Sequence, residues 1–144
     1  MNDKKTTVDN LKVFVKDFVD ERDWSQFHNP KNISMALAIE ASELMDIFKW
    51  DSNDESEKKM SVDISRQDAI DELADVIIYS IAFANKNGID ISDAILKKME
   101  KNEKKYPSKK FRVKLQPYSL ILYPSFFALS IDTLYIFRIC SVSV

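Results

Sequence analysis

A chain of 144 residues with one glycine, Gly88, has few ways to turn sharply. Glycine supplies the positive-φ positions of tight hairpins and bulges, so its scarcity weighs against a sheet-rich fold. It also removes the Gly-rich loops on which Rossmann and P-loop nucleotide sites depend. Long helices with few connections remain. Leu11, Phe14, Val15, Phe18 and Val19 recur at intervals of three and four, which predicts an amphipathic helix over residues 9–23. Residues 24–32 read as a loop, with Pro30 disfavouring helix at Asn29. A second helix, capped by Asn32 or Ser34, is expected to reach about Trp50. The polar stretch 51–61 reads as a mobile loop. A third helix is expected over residues 65–87, closed by Gly88, and a fourth, capped by Ser92, fades near Tyr106 and Pro107. The expectation is an all-α fold with a four-helix core.

Composition narrows the function classes. The net charge is -2, with 21 basic and 23 acidic residues, so nothing resembles the clustered basic face of a nucleic-acid binder. A mildly acidic protein that handles phosphate anions needs metal ions to offset repulsion. Cys140 is the single cysteine, which rules out an internal disulfide and weighs against a cysteine metal site. It fits a reducing, cytoplasmic setting. The polar start, Met1-Asn2-Asp3-Lys4-Lys5, is not a secretory signal.

The character changes at Phe111. Residues 118–137 are rich in Leu, Ile, Phe and Tyr and follow neither a helical nor an alternating period. This segment fits an extra strand pair, a membrane-associated tail, or sequence foreign to the fold. Pro124, Asp132 and several serines make it a poor membrane-spanning helix. The expected organisation is one domain over residues 1–107, followed by an atypical apolar tail, 108–144.

Chemistry concentrates on the second and third helices. The second carries Glu40-Ala41-Ser42-Glu43 and the third Glu72-Leu73-Ala74-Asp75. Residues three apart share a helix face, so each helix presents two carboxylates side by side. Their helical neighbours are apolar or acidic: Ala36, Leu37 and Leu44 flank Glu40, and Ile78 and Tyr79 flank Asp75. No lysine or arginine stands one turn from any of the four. Like charges at this spacing destabilise a helix by about 0.2–0.5 kcal/mol per pair, and apolar surroundings add a desolvation cost. A single Glu-x-x-Glu is best read as a solvated face. Two such pairs on apolar stripes, without cation partners, point to a hard divalent cation. The absence of nearby histidine argues against Zn²⁺ and for Mg²⁺ or Mn²⁺.

Three flanking stretches add to this pattern. Arg22-Asp23-Trp24-Ser25-Gln26-Phe27-His28 precedes the second helix, Phe48-Lys49-Trp50 closes it, and the run from Lys98 to Pro107 closes the fourth. Together with the carboxylates, these stretches resemble the all-α NTP pyrophosphohydrolase superfamily, in particular its MazG-like and dCTP pyrophosphatase branch. The resemblance extends over roughly residues 11–107. It implies cleavage of (deoxy)nucleoside triphosphates between the α- and β-phosphates, giving monophosphate and pyrophosphate, as a nucleotide-pool house-cleaning activity. It further implies that Glu40, Glu43, Glu72 and Asp75 hold Mg²⁺ and carry the catalysis. Lys98, Asn102 and Tyr106 match positions that contact phosphates or nucleotide, and Trp24, His28 and Trp50 match positions lining the base pocket. A homodimer or homotetramer is implied as well, because family members build active sites with help from neighbouring subunits. The tail departs from the family pattern, which usually turns polar or ends soon after the Lys-Tyr-Pro motif.

Each of these residues also has a plainer reading. Trp24 and Trp50 fit core aromatics, His28 fits a hydrogen-bonder in a polar loop, Lys98 fits a solvated face, and Tyr106 fits a chain-end anchor. Two rival functions stand beside the enzyme. One is a non-catalytic nucleotide- or metal-binding helical regulatory module. The other is a membrane-tethered protein anchored by its tail.

Overall fold

The computed structural model describes residues 2–112, which form six α-helices and one short 3-10 turn, with no strand among the described residues. The helices are α1 (Val8–Asp20), α2 (Pro30–Phe48), α3 (Asn53–Lys59), α4 (Asp63–Lys86), α5 (Ile91–Lys105) and α6 (Ser108–Phe111). The 3-10 turn covers Trp24–Gln26. The chain divides after Pro107, so that α6 belongs to a separate unit from the other five helices. The expectations for residues 113–144 lie outside the described residues.

Local chemistry sets the helix boundaries. Thr7 and Asn10 form a reciprocal capping box on α1: Thr7 Oγ1 accepts from the Asn10 amide at 3.1 Å, and Asn10 Oδ1 accepts from the Thr7 amide at 3.0 Å. Helix α2 starts earlier than Asn32 or Ser34 would allow. Asn29 is extended and caps it by accepting from the Asn32 amide at 2.9 Å, while Pro30 occupies the first turn. Proline costs nothing there, because the N–H it lacks has no intrahelical partner. The fourth long helix, α5, is likewise capped by Asp90, two residues before the expected Ser92.

The expected mobile loop over residues 51–61 contains a helix, α3. Its composition is almost wholly polar, which hides the two features that build it. Ser52 and Glu55 form a capping box, with the Ser52 amide donating to Glu55 Oε2 at 2.9 Å. Asp54 and Glu55 lie in the first turn and Lys58 and Lys59 in the last, which complements the helix dipole at both ends. Lys59 then reaches back to the end of α2, donating to the Ile47 carbonyl at 2.5 Å and pairing with Asp51 at 2.7 Å.

Gly88 acts as expected. It lies at φ +63 and ends α4 in a Schellman arrangement, with the Ile89 amide donating to the Ala84 carbonyl at 2.9 Å. This turn is tied to α1 from both sides. Lys12 Nζ donates to the Ile89 carbonyl at 2.9 Å, and Asn85 Nδ2 donates to the Lys12 carbonyl at 2.8 Å. Helix α4 is the central element, packed against both α1 and α2. Val15, Ile81 and Ala82 form the buried cluster where α1 meets α4, and Ile91 at the start of α5 packs against it. Ile33 and Ala69 are buried on α2 and α4. Beyond Ile91, α5 exposes its apolar row: Ile95, Leu96 and Met99 are all more than half exposed.

Candidate metal centre and adjoining cavity

Packing of α2 along α4 brings three of the four carboxylates together. Carboxylate oxygens of Glu40, Glu43 and Glu72 all lie within 4.8 Å of one another. Glu40 and Glu72 are half-buried and Glu43 is exposed. No ion pair among the described residues involves Glu40, Glu43, Glu72 or Asp75; the salt bridges lie at Asp20, Glu21, Asp46, Asp51 and Asp93.

The electrostatics follow from that crowding. Burial pushes the Glu40 carboxyl above its ordinary value of 4.5, and the charges of Glu43 and Asp75 push it further. Burial likewise raises Glu72, reinforced by the charges of Glu43, Glu40 and Asp75 and by a hydrogen bond with Glu43. Asp75 is thus within electrostatic reach of both raised glutamates. The donor set is oxygen only, with no histidine or cysteine, and suits a hard cation such as Mg²⁺. Opposed ligands of an octahedral Mg²⁺ stand about 4.2 Å apart, which fits within the 4.8 Å that bounds the separations of these oxygens. Glu40, Glu43 and Glu72 can therefore accommodate such an ion, while Asp75 stands outside that close group.

Asp75 also faces a second feature. It lines a cavity of about 340 Å³ whose aromatic walls are Phe14, Phe18, Trp24 and Tyr79, with His28 at its polar edge. Trp24 and His28 thus lie on one cavity. Phe14, Phe18 and Tyr79 were not singled out from the sequence. The signal was present in their spacing: Phe14 and Phe18 are four apart on α1, and Tyr79 follows Asp75 by one turn of α4. A smaller cavity of about 210 Å³, lined by Lys16, Asp20, Ser25, Asn85 and Lys86, also includes His28.

The other four sequence candidates lie apart from this cavity. Trp50 is 87% exposed just beyond α2, with Lys49 Nζ 5.8 Å from its ring centroid, and it lines neither cavity. Lys98, Asn102 and Tyr106 lie on α5 or at its end and line neither cavity. Lys98 is exposed and the other two are half-buried. Lys105 Nζ lies 5.0 Å from the Tyr106 ring centroid.

The model of the MazG-like family matches residues 35–116, more than half of the chain. The chain belongs to the MazG-like family. This match begins within α2 and so contains all four carboxylates. Among similar proteins, dCTP pyrophosphatase 1 of Mus musculus is 36% identical over 101 residues, 70% of this chain and 59% of that protein. The Homo sapiens dCTP pyrophosphatase 1 is 35% identical over 102 residues, 71% of this chain and 60% of that protein. The aligned stretch therefore spans about three fifths of these relatives. A solved pyrophosphatase from Archaeoglobus fulgidus superposes with a TM-score of 0.65 at 36% identity, covering 69% of this chain and 91% of that one. The likeness agrees with the all-α expectation.

Proposed function

We propose that this MazG-like chain is a Mg²⁺-dependent nucleoside triphosphate pyrophosphohydrolase that releases a nucleoside monophosphate and pyrophosphate. The observation that carries this reading is the double placement of Asp75, beside the carboxylate cluster and on the wall of the aromatic cavity. A nucleotide is a flat base joined through a sugar to a polyanion. The aromatic walls suit the base, with Trp24 and His28 among its contacts, while the carboxylates one step away suit a metal-bound triphosphate. Mg²⁺ bound there would supply Lewis-acid polarisation of the phosphates and a more acidic water. One of the cluster carboxylates, Glu40 or Glu43, would accept a proton from an attacking water.

The substrate class in this reading is deoxynucleotides, as the names of the dCTP pyrophosphatase relatives indicate for those proteins. The catalytic unit is residues 1–107. Lys98, Asn102 and Tyr106 supply the phosphate contacts that the acidic cluster lacks, and Trp50 closes on the base. The exposed apolar row of α5 supports assembly as a homodimer or homotetramer, which would bring α5 of one copy to the site of another. No helix among the described residues is long and apolar enough to cross a membrane. The nucleotide pool places the activity in the cytoplasm.

Pyrophosphate release measured over a panel of nucleoside triphosphates, with and without Mg²⁺, tests the reading. Mg²⁺-dependent release with a preference for a deoxynucleotide is expected. Saturable nucleotide binding with no release in Mg²⁺ or Mn²⁺ would instead establish the non-catalytic binding module.

A further inference from the structure

Arg22 has no part in the roles assigned above, yet the aromatic wall rests on it. Its guanidinium carbon lies 3.7 Å from the centroid of the Phe18 ring. Its Nη1 donates to the Phe18 carbonyl at 3.0 Å. One side chain therefore holds both the ring and the backbone of the residue one helical turn before it. Phe18 in turn meets Trp24 edge to face, with centroids 5.9 Å apart and planes at 77°. Both rings line the cavity. The stack depends on a chain reversal at Asp23, whose backbone lies in the left-handed region at φ 53 and ψ 26.

The physical problem this solves is one of order. Phe18 and Trp24 are 45% and 46% exposed, so no core fixes their rotamers. A ligand stacking on loose rings must first immobilise them, and that ordering weakens binding. A cation over the ring of Phe18, anchored by a hydrogen bond near the end of α1, holds the wall in place beforehand. Arginine suits the position better than lysine. Its planar fork stacks on the ring and donates to the carbonyl at once, whereas an ammonium has no plane to stack.

We propose that Arg22 is a positioning residue for base binding, holding Phe18, and through it Trp24, as the preformed wall of the cavity. This rests on the reading of the cavity as the base site. Its effect falls on substrate affinity and leaves the chemical step alone, because Arg22 contacts Phe18 and Glu21, not the carboxylate cluster, and is not among the residues lining the cavity.

The test compares Arg22→Ala, Arg22→Lys and Trp24→Ala in the full chain, with dCTP and Mg²⁺ as the probe. Arg22→Ala is expected to raise KM about three- to tenfold, with kcat held within about twofold. Arg22→Lys should show a smaller rise, and it carries the test if Arg22→Ala fails to fold. The acrylamide-accessible fraction of tryptophan fluorescence should increase in the Arg22 variants, reporting Trp24 against the constant background of Trp50, which is 87% exposed. A lower melting temperature with unchanged KM would overturn the proposal, leaving Arg22 as a simple cap of α1. Trp24→Ala separates the two levels of the argument. If it raises KM and the Arg22 variants do not, the Arg22 proposal alone fails. If Trp24→Ala leaves KM unchanged, the base does not use this cavity and the reading beneath the proposal fails as well.

Discussion

The α2–α4 face and α5 carry opposite charge, and the fold treats them differently. On α2 and α4, half-buried Glu40 and Glu72 are held beside Glu43 and Asp75 by helix packing, with no cation among them. On α5, Lys97, Lys98, Lys101, Lys104 and Lys105 stand along a helix that is packed at Ile91 and largely exposed beyond it. The carboxylates are thus gathered at a cost in repulsion, while the lysines of α5 stand on a largely exposed helix that lines neither described cavity. Under the proposed function, a metal-bound triphosphate would relieve the first and attract the second.

The largest effect should come from the acidic half. Glu43→Gln or Asp75→Asn is expected to lower turnover by about a hundredfold or more while the helices remain formed. Circular dichroism checks the helices and pyrophosphate release checks the turnover. The same changes should raise the melting temperature without metal, since each removes a like charge from the cluster. Wild-type turnover in either variant would remove these residues from the site.

A smaller effect is expected on α5. Lys98→Ala should lower kcat/KM about tenfold, the order of a lost charge-assisted contact to phosphate. It should leave the thermal stabilisation by Mg²⁺ alone intact. If Lys98→Ala instead abolished Mg²⁺ stabilisation, the separation of α5 from the metal-binding face would be wrong.

The smallest effect, and the one that sharpens the comparison most, is on pH dependence. The carboxyls of Glu40 and Glu72 are raised above 4.5, so the metal-free fold holds protons more tightly than the unfolded chain. Their destabilising contribution is absent below the unfolded value. It grows as pH rises through 4.5 and the raised folded values, and is complete above them. Mg²⁺ competes with those protons, so its stabilisation should increase over the same window, with proton release on binding. Melting curves at several pH values, with and without Mg²⁺, check the sign. Glu72→Gln should flatten the profile. An Mg²⁺ shift that shrank as pH rose would contradict the coupling.

What the sequence made legible was governed by short-range geometry. Glu40 and Glu43, and Glu72 and Asp75, announced themselves because a three-residue interval on a helix is already a statement about space. Gly88 did the same for the end of α4. The polar stretch 51–61 misled because hydrophobic periodicity is silent about a helix built from a capping box and end charges, as α3 is. The aromatic wall required the tertiary fold. Phe14, Phe18 and Tyr79 read as ordinary apolar positions until α1 is laid on α4. Arg22 could be quoted within a motif, but its stacking on Phe18 depends on how α1 ends and how Asp23 turns. Trp50 and α5 mark the opposite limit, where residues expected at the site lie off both cavities in a single chain.

The bond that breaks tests the central claim most directly. Incubation of the protein with dCTP and Mg²⁺ in ¹⁸O-labelled water, followed by chromatography and mass spectrometry, identifies both products and the phosphorus attacked. The account predicts dCMP and pyrophosphate, with one labelled oxygen between them and none in orthophosphate. Production of dCDP and orthophosphate as the main products would contradict it.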